Sequence, residues 1–482
     1  MSENQNKGLD RREERRRRRV RNQIIAYMVV IVFLGAIITG GVYVGKTAWN
    51  KHQEKKKQEE IQANMEEQIK NSEDEIILTE PTPDPVVPEP ETSMDEKIDV
   101  VVNSKIQAMS LEDKVAGLFI VTPESITGVN TAIKAGEGTK AALDKYAVGG
   151  IIYFSKNIQS EAQFTEMLGN TNMWSKYPLF IAVDEEGGTV SRIGNSSIDV
   201  EGAASAAEIA ATGDPSQAYG AGMTIAGYLG RLGINLDFAP VADVAIGDST
   251  VLGSRTYGSD PAVVGSFAVN MVNGLQDNGV SACMKHFPGL GGTSADTHDG
   301  LVTTERTKEE FASCEFDVYR QGIAAGVDFI MVSHLSVPAI TGDNTPSSLS
   351  PAVVTDILRN ELGYDGIIIT DALNMTAITD YYTADQAAIM ALRAGCDMIL
   401  MPEDFETAYQ GILTAVQEGT ISEERIDDAL RRIYRVKLRD TIEAQLGDEP
   451  EEGLPMEGDP LDGEPEQGEP EENLPEENLP EE

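Results

Sequence analysis

Eight short apolar runs alternate with helical patterns between residues 94 and 445 and predict an α/β chain folded as a (β/α)8 TIM barrel. Two further observations point the same way. Several of the helical stretches stop at a glycine, the residue that most easily takes the left-handed turn at a helix end. Five of the apolar runs end in polar, titratable residues, and a parallel barrel gathers its chemistry at the C-terminal ends of its strands.

The expected strands are 118–121, 150–154, 179–183, 234–238, 280–285, 329–333, 366–370 and 398–401. Helices are expected over 217–231, 261–276, 308–325, 351–362 and 385–394, and Gly233, Gly279, Gly326, Gly363 and Gly395 stand at helix ends. The alternative is a doubly wound open sheet. No Gly-x-Gly-x-x-Gly follows the first strand to support a dinucleotide fold.

The ends of the chain differ from its middle. The net charge of −42 over 482 residues is uneven. Residues 1–23 form a basic tail with eight arginines, and residues 24–44 carry no charge, which is long enough for a helix to span a bilayer. The arginines ahead of that run place the N-terminus in the cytoplasm and everything after residue 45 outside. A cleaved signal peptide is the rival reading, but the run is long for one and lacks a clear small-residue cleavage site. Residues 46–93 read as a Lys/Glu/Gln-rich helical stalk and a spacer holding Pro81, Pro83, Pro85, Pro88 and Pro90. Residues 446–482 are rich in Glu, Pro and Gly, too poor in apolar residues to bury a core, and read as a disordered acidic tail. The expected setting is therefore a single-pass protein of the cell membrane with its barrel outside the cytoplasm. A monomer is expected, and the acidic barrel argues against a nucleic-acid partner. Cys283, Cys314 and Cys396 show no metal spacing, and Cys283 and Cys396 sit in apolar runs as small core residues.

The chemistry concentrates at the strand ends. The fifth run ends at Lys285-His286, and the loop after it carries Asp296 and His298. The third run ends at Asp184-Glu185-Glu186, the fourth at Asp237 and Asp243, the sixth at Ser333-His334 and the seventh at Thr370-Asp371. One acid after a strand is commonly a helix cap. Five such ends on one rim are hard to explain as capping.

At these residues the chain resembles glycoside hydrolase family 3, in its single-barrel β-N-acetylhexosaminidase branch. The matching stretches are Asp184-Glu185-Glu186-Gly187-Gly188-Thr189-Val190-Ser191-Arg192, Asn235-Leu236-Asp237-Phe238-Ala239-Pro240-Val241, Lys285-His286-Phe287-Pro288-Gly289, Asp296-Thr297-His298 and Thr370-Asp371-Ala372-Leu373. The resemblance implies a retaining exo-glycosidase acting on terminal β-linked N-acetylglucosamine, with peptidoglycan fragments or other amino-sugar glycans as substrate. It implies that Asp371 is the nucleophile and that His298, oriented by Asp296, is the acid/base. An imidazole suits that role because it titrates near neutral pH. Asp184, Arg192, Arg255, Lys285 and His286 are implied to line the sugar subsite, although Lys285 and Arg255 also read as a structural ion pair and His286 as a packed histidine. His334 reads as structural. No cofactor or metal is expected.

The sequence departs from the family pattern at Leu290, where a histidine is common, at Gly292, where a polar residue is common, and at Thr297, where serine is usual. Leu290 puts rate and specificity in question more than reaction class. Three other functions are compatible with the same residues. One is a β-N-acetylglucosaminide phosphorylase. Another is a metal-dependent hydrolase using His286, His298, His334 and Asp371. The third is a non-catalytic surface protein that binds glycans.

Overall fold

The computed structural model describes residues 93–247, 252–293 and 300–447. The expected basic tail, membrane span and most of the stalk and acidic tail lie outside these residues, as do Asp296 and His298. Among the described residues no helix is long and apolar enough to cross a membrane.

Eight parallel strands form one sheet: β1 (Phe119–Val121), β2 (Gly150–Ile152), β3 (Phe180–Val183), β4 (Leu236–Asp237), β5 (Ser281–Phe287), β6 (Phe329–Val332), β7 (Ile367–Thr370) and β8 (Ile399–Leu400). From β1 to β7 each strand pairs with the next, and β8 pairs with β1, with Phe119 opposite Ile399. A parallel bridge between Ile369 of β7 and Met398, just ahead of β8, brings the last two strands together and closes the ring. The strands are short and buried on both faces, so they read as continuous apolar runs rather than alternating ones. All eight fall on the expected runs, each within two residues of the expected ends.

The helices run outside the ring. Gly233, Gly279, Gly326, Gly363 and Gly395 all have positive φ, from 70° to 113°. Two helices differ from the expected ones. The stretch 308–325 is broken into Lys308–Ala312 and Glu315–Ala324. The break turns Glu315 inward, where its fully buried carboxylate pairs with Arg306. The stretch 351–362 winds more widely than an α-helix over Ala352–Glu361, with the Leu362 N–H reaching Ile357 O at 2.8 Å.

The first and last described helices pack on each other. Met94–Gln107 opens at Ser93 with a reciprocal cap to Glu96. It faces Glu423–Gly447 through Arg435 to Asp99 at 2.6 Å and Arg431 to Asn103 at 2.9 Å. From that last helix Lys437 donates to Gly149 O at 2.6 Å and Pro178 O at 2.7 Å, both just ahead of strands. It thereby stoppers the end of the barrel opposite the polar strand ends.

The same lower end holds a buried ion cluster. Asp397, fully buried ahead of β8, meets Arg359 at 2.7 Å, Arg432 at 3.3 Å and Arg425 at 3.6 Å, and accepts the Ile368 N–H at 3.0 Å. Removing the carboxylate takes the one shared anion from three arginines, which keep only their other contacts, and leaves the Ile368 N–H without this acceptor. Asp397→Ala is therefore expected to lower stability by about 3–5 kcal/mol, read as a shift in the urea midpoint at an unchanged slope.

Candidate active site

The strand ends converge on one cavity of about 420 Å³ that includes Asp184, Arg192, Arg255, Lys285, His286 and Asp371. Its floor is apolar, from Ile152, Met331 and Leu400. A larger groove of about 560 Å³ lies between the helices Ala384–Ala394 and Phe405–Gln417 and contains none of the strand-end residues.

Asp184 follows β3, and the chain then doubles back in a small hairpin, Glu185–Gly187 against Val190–Ser191. Side chains alternate along an extended strand, so Asp184 and Glu186 face the cavity while Glu185 points beneath it. Glu185 is fully buried and accepts from Ile193 N at 2.7 Å, Gly194 N at 2.8 Å and Tyr228 Oη at 2.7 Å, as well as from the Ser191 hydroxyl. It anchors the turn that presents Arg192. Beneath the hairpin, Asp237 accepts the Glu185 N–H at 2.8 Å, and burial raises its pKa well above the usual carboxylate range.

On the cavity side, Lys285 at the end of β5 bridges Asp184 at 2.9 Å and Glu186 at 2.7 Å. Arg255, in the loop after β4, grips both oxygens of Glu186 at 2.7 and 2.8 Å. Arg192 reaches the other oxygen of Asp184 at 3.3 Å. Burial alone would push Asp184 up, but Lys285 and Arg192 outweigh it and hold the carboxyl at about 2. Glu186 is likewise lowered, burial being outweighed by Lys285 and Arg255. The cluster is a fixed lattice of charges, able to hydrogen-bond sugar hydroxyls without first ordering its side chains.

A carboxylate depressed in the fold stabilises above its unfolded pKa, and that contribution disappears as pH falls through the folded value. For Asp184 the window lies between 3.8 and about 2. The wild-type protein is expected to lose on the order of 2 kcal/mol across it, a slope that Asp184→Asn removes from the pH dependence of urea unfolding.

His286 follows Lys285. Its Nδ1 lies 2.7 Å from Asp243 Oδ2, and Asp243 Oδ1 accepts the Leu290 N–H at 2.7 Å. One carboxylate therefore sets the imidazole and the start of the loop after β5, and the opposite edge of the ring is the one available to the cavity. The loop is further tied down where Ile246 N donates to Gly291 O at 2.8 Å. Gly291 is required there, because a Cβ would sit 1.6 Å from Val244 O. Leu290 is buried and forms part of the cavity wall.

Asp371 stands directly after β7. Its N–H donates to Val332 O at 2.8 Å, and its Oδ1 accepts the Ala372 N–H at 2.8 Å. Of the three cavity carboxylates it is the one with no lysine or arginine in ion-pair contact among the described residues. Burial raises its pKa, but the imidazoles of His334 and His286, the Ala372 N–H and Lys285 together bring it below the ordinary value. It is an ionised carboxylate without a salt-bridge partner, which is the state a nucleophile needs. His334 is fully buried, with Nδ1 2.8 Å from Ser348 Oγ and Nε2 2.9 Å from Ala372 O. Both ring nitrogens are engaged, so it braces the turn after β7 and is not available as a metal ligand. Among the described residues no His, Cys, Asp and Glu cluster has the arrangement of a metal site.

A model of the glycosyl hydrolase family 3 N-terminal domain matches residues 102–436. The chain belongs to that family. It is 34% identical over 284 residues to a beta-hexosaminidase of Nitrosomonas eutropha, covering 58% of this chain and 81% of that protein. It is 34% identical over 340 residues to beta-hexosaminidase LpqI of Mycobacterium tuberculosis, covering 68% and 83%. The solved family 3 beta-N-acetylglucosaminidase from Paenibacillus sp. str. FPU-7 superposes with a TM-score of 0.65 at 35% identity, over 70% of this chain and 64% of that one. This family 3 barrel is a glycoside hydrolase.

The five residues expected at the sugar subsite and the expected nucleophile thus share one family 3 cavity. Asp296 and His298 lie outside the described residues. Two partners had no expected role. Glu186, which fixes both Lys285 and Arg255, was legible as the residue two positions from Asp184 on an extended strand. Asp243, which fixes His286, lies 43 residues away from it, and nothing local in the sequence pairs the two.

Proposed function

We propose that the protein is a retaining exo-β-N-acetylglucosaminidase held at the cell membrane by residues 24–45, with its barrel outside the cytoplasm. The observation that carries the reaction is Asp371, a half-buried carboxylate with no lysine or arginine partner, in a pocket whose other acids among the described residues are paired with Lys285, Arg255 and Arg192. The names of its relatives support the sugar.

In this reading the paired charges of Asp184, Glu186, Lys285 and Arg255 grip the hydroxyls of one terminal sugar, and the apolar floor receives its ring. Asp371 attacks the anomeric carbon while His298 gives its proton to the departing oxygen. A glycosyl-aspartate ester results. Water then enters, His298 takes back a proton, and the ester opens to free N-acetylglucosamine with its configuration retained. Asp296 orients the imidazole and stabilises its charged form. Amino-sugar fragments of peptidoglycan are the proposed natural source, reached across the stalk and spacer of residues 46–93.

The test is turnover of a chromogenic β-N-acetylglucosaminide by the full-length protein, followed by proton NMR. The first-formed product is expected to be β-N-acetylglucosamine, in phosphate buffer as in any other. A sugar 1-phosphate appearing only with phosphate would make the protein a phosphorylase. Saturable binding with no product would make it a glycan-binding protein.

A further inference from the structure

The pocket holding Asp371 continues outward. A second cavity of about 520 Å³ shares Phe154, Arg192, Asn374 and Met401 with it and adds Thr122, Ser155 and Lys156 from the turns after β1 and β2. We propose that this outer cavity is the leaving-group subsite, and that Lys156 and Arg192 make it select a leaving group that carries a carboxylate.

The inference rests on the glycosidase reading and deepens it. In a retaining displacement the leaving group departs on the face away from the nucleophile. With the terminal sugar over Asp371, a leaving group that extends past the four shared residues enters the outer cavity. The outer cavity is the built surface at that mouth.

Its charge is the second argument. The chain as a whole carries −42, yet among the described residues two cations and no carboxylate line this cavity. Lys156 is half-exposed, and its Nζ lies 3.5 Å from Glu124 Oε1. That oxygen already accepts from Asn157 Nδ2 at 2.7 Å and Ala132 N at 2.9 Å, so the lysine charge is only partly answered. Arg192 spends one amine on Asp184 in the inner cavity. Its Nε is buried without a hydrogen-bond partner among the described residues. Its guanidinium lies over the Phe154 ring, 5.6 Å from the centroid.

The third argument is stiffness. The turn Ser155–Asn157 is held by Asn157, fully buried, which accepts the Phe154 N–H at 2.9 Å and donates to Ala132 O at 2.8 Å. The base of Lys156 is therefore set before substrate arrives, and less ordering opposes binding. An anionic leaving group would lie between Lys156 and Arg192, with Phe154 beneath it.

The experiment compares two fluorogenic β-N-acetylglucosaminides whose coumarin leaving groups carry either a 4-methyl or a 4-carboxymethyl substituent. The two phenols leave comparably, so the ratio of kcat/KM reads the subsite. In the full-length wild-type protein the carboxylate substrate is expected to be preferred, and raising the salt to about 1 M, where charges are screened beyond roughly 3 Å, is expected to erode the preference. Lys156→Gln is expected to lower the ratio by about three- to fivefold, chiefly through KM, and Lys156→Arg to retain it. Turnover of both substrates with no salt-sensitive preference, or with one that Lys156→Gln leaves intact, overturns the inference and leaves the glycosidase standing. No turnover of either overturns both.

Discussion

Asp371→Ala is expected to lower kcat on an N-acetylglucosaminide by roughly four to six orders of magnitude. The carboxylate forms a bond in the transition state, and among the described residues the other two cavity acids, Asp184 and Glu186, are both held by cations and cannot replace it. The loss should be chemical and not structural. The Asp371 N–H still donates to Val332 O in the variant, and His334 still braces the turn through Ser348 and Ala372 O. Melting is therefore expected to change by no more than about 1 kcal/mol. Added azide is expected to restore turnover by occupying the vacated space, with an azide of inverted configuration as product. A variant that kept most of its activity would remove Asp371 from the mechanism.

Lys285→Met is expected to act on both binding and stability. The methionine has similar length and fills similar space, so little packing is lost. What changes is charge. Lys285 is nearly fully buried between Asp184 and Glu186, and those carboxylates hold its pKa above the ordinary lysine value despite burial. Without it the two acids face each other with only Arg192 and Arg255 beyond them. Breaking a buried pair in this way costs about 3–5 kcal/mol. Losing a charged donor to a sugar hydroxyl adds roughly a 10- to 100-fold fall in kcat/KM. Stability is read from urea melts and binding from KM. A variant with weakened melting and unchanged KM would make the lysine a purely structural ion pair, the alternative its sequence context leaves open.

The barrel was legible because its signals are local. Each strand is a short, doubly buried apolar run, and each of the five helix-ending glycines stands where the backbone turns left-handed. Lys285, His286 and Asp371 were legible for a related reason: each sits within a residue or two of a strand end, and barrel closure alone brings strand ends together. Partnerships were less legible. Asp243 reaches His286 only through the curl of the loop after β4, and Glu315 reaches Arg306 only because a helix that the sequence pattern makes continuous breaks between residues 312 and 315. Those contacts depend on tertiary geometry, which no periodicity encodes. Lys156 is a single lysine in a polar turn and carries no local signal; its setting depends on the wall that the outer cavity shares with the inner one.

The proposed mechanism turns on a covalent bond between substrate and Asp371. The most direct measurement treats the full-length protein with a 5-fluoro-N-acetylglucosaminyl fluoride, which forms the ester quickly and releases it slowly, and then maps the adduct by peptide mass spectrometry. The expected result is one sugar on the peptide containing Asp371, and none in Asp371→Ala. A sugar on Asp184, Glu186 or any other acid, or steady turnover with inversion and no adduct at all, would contradict the account.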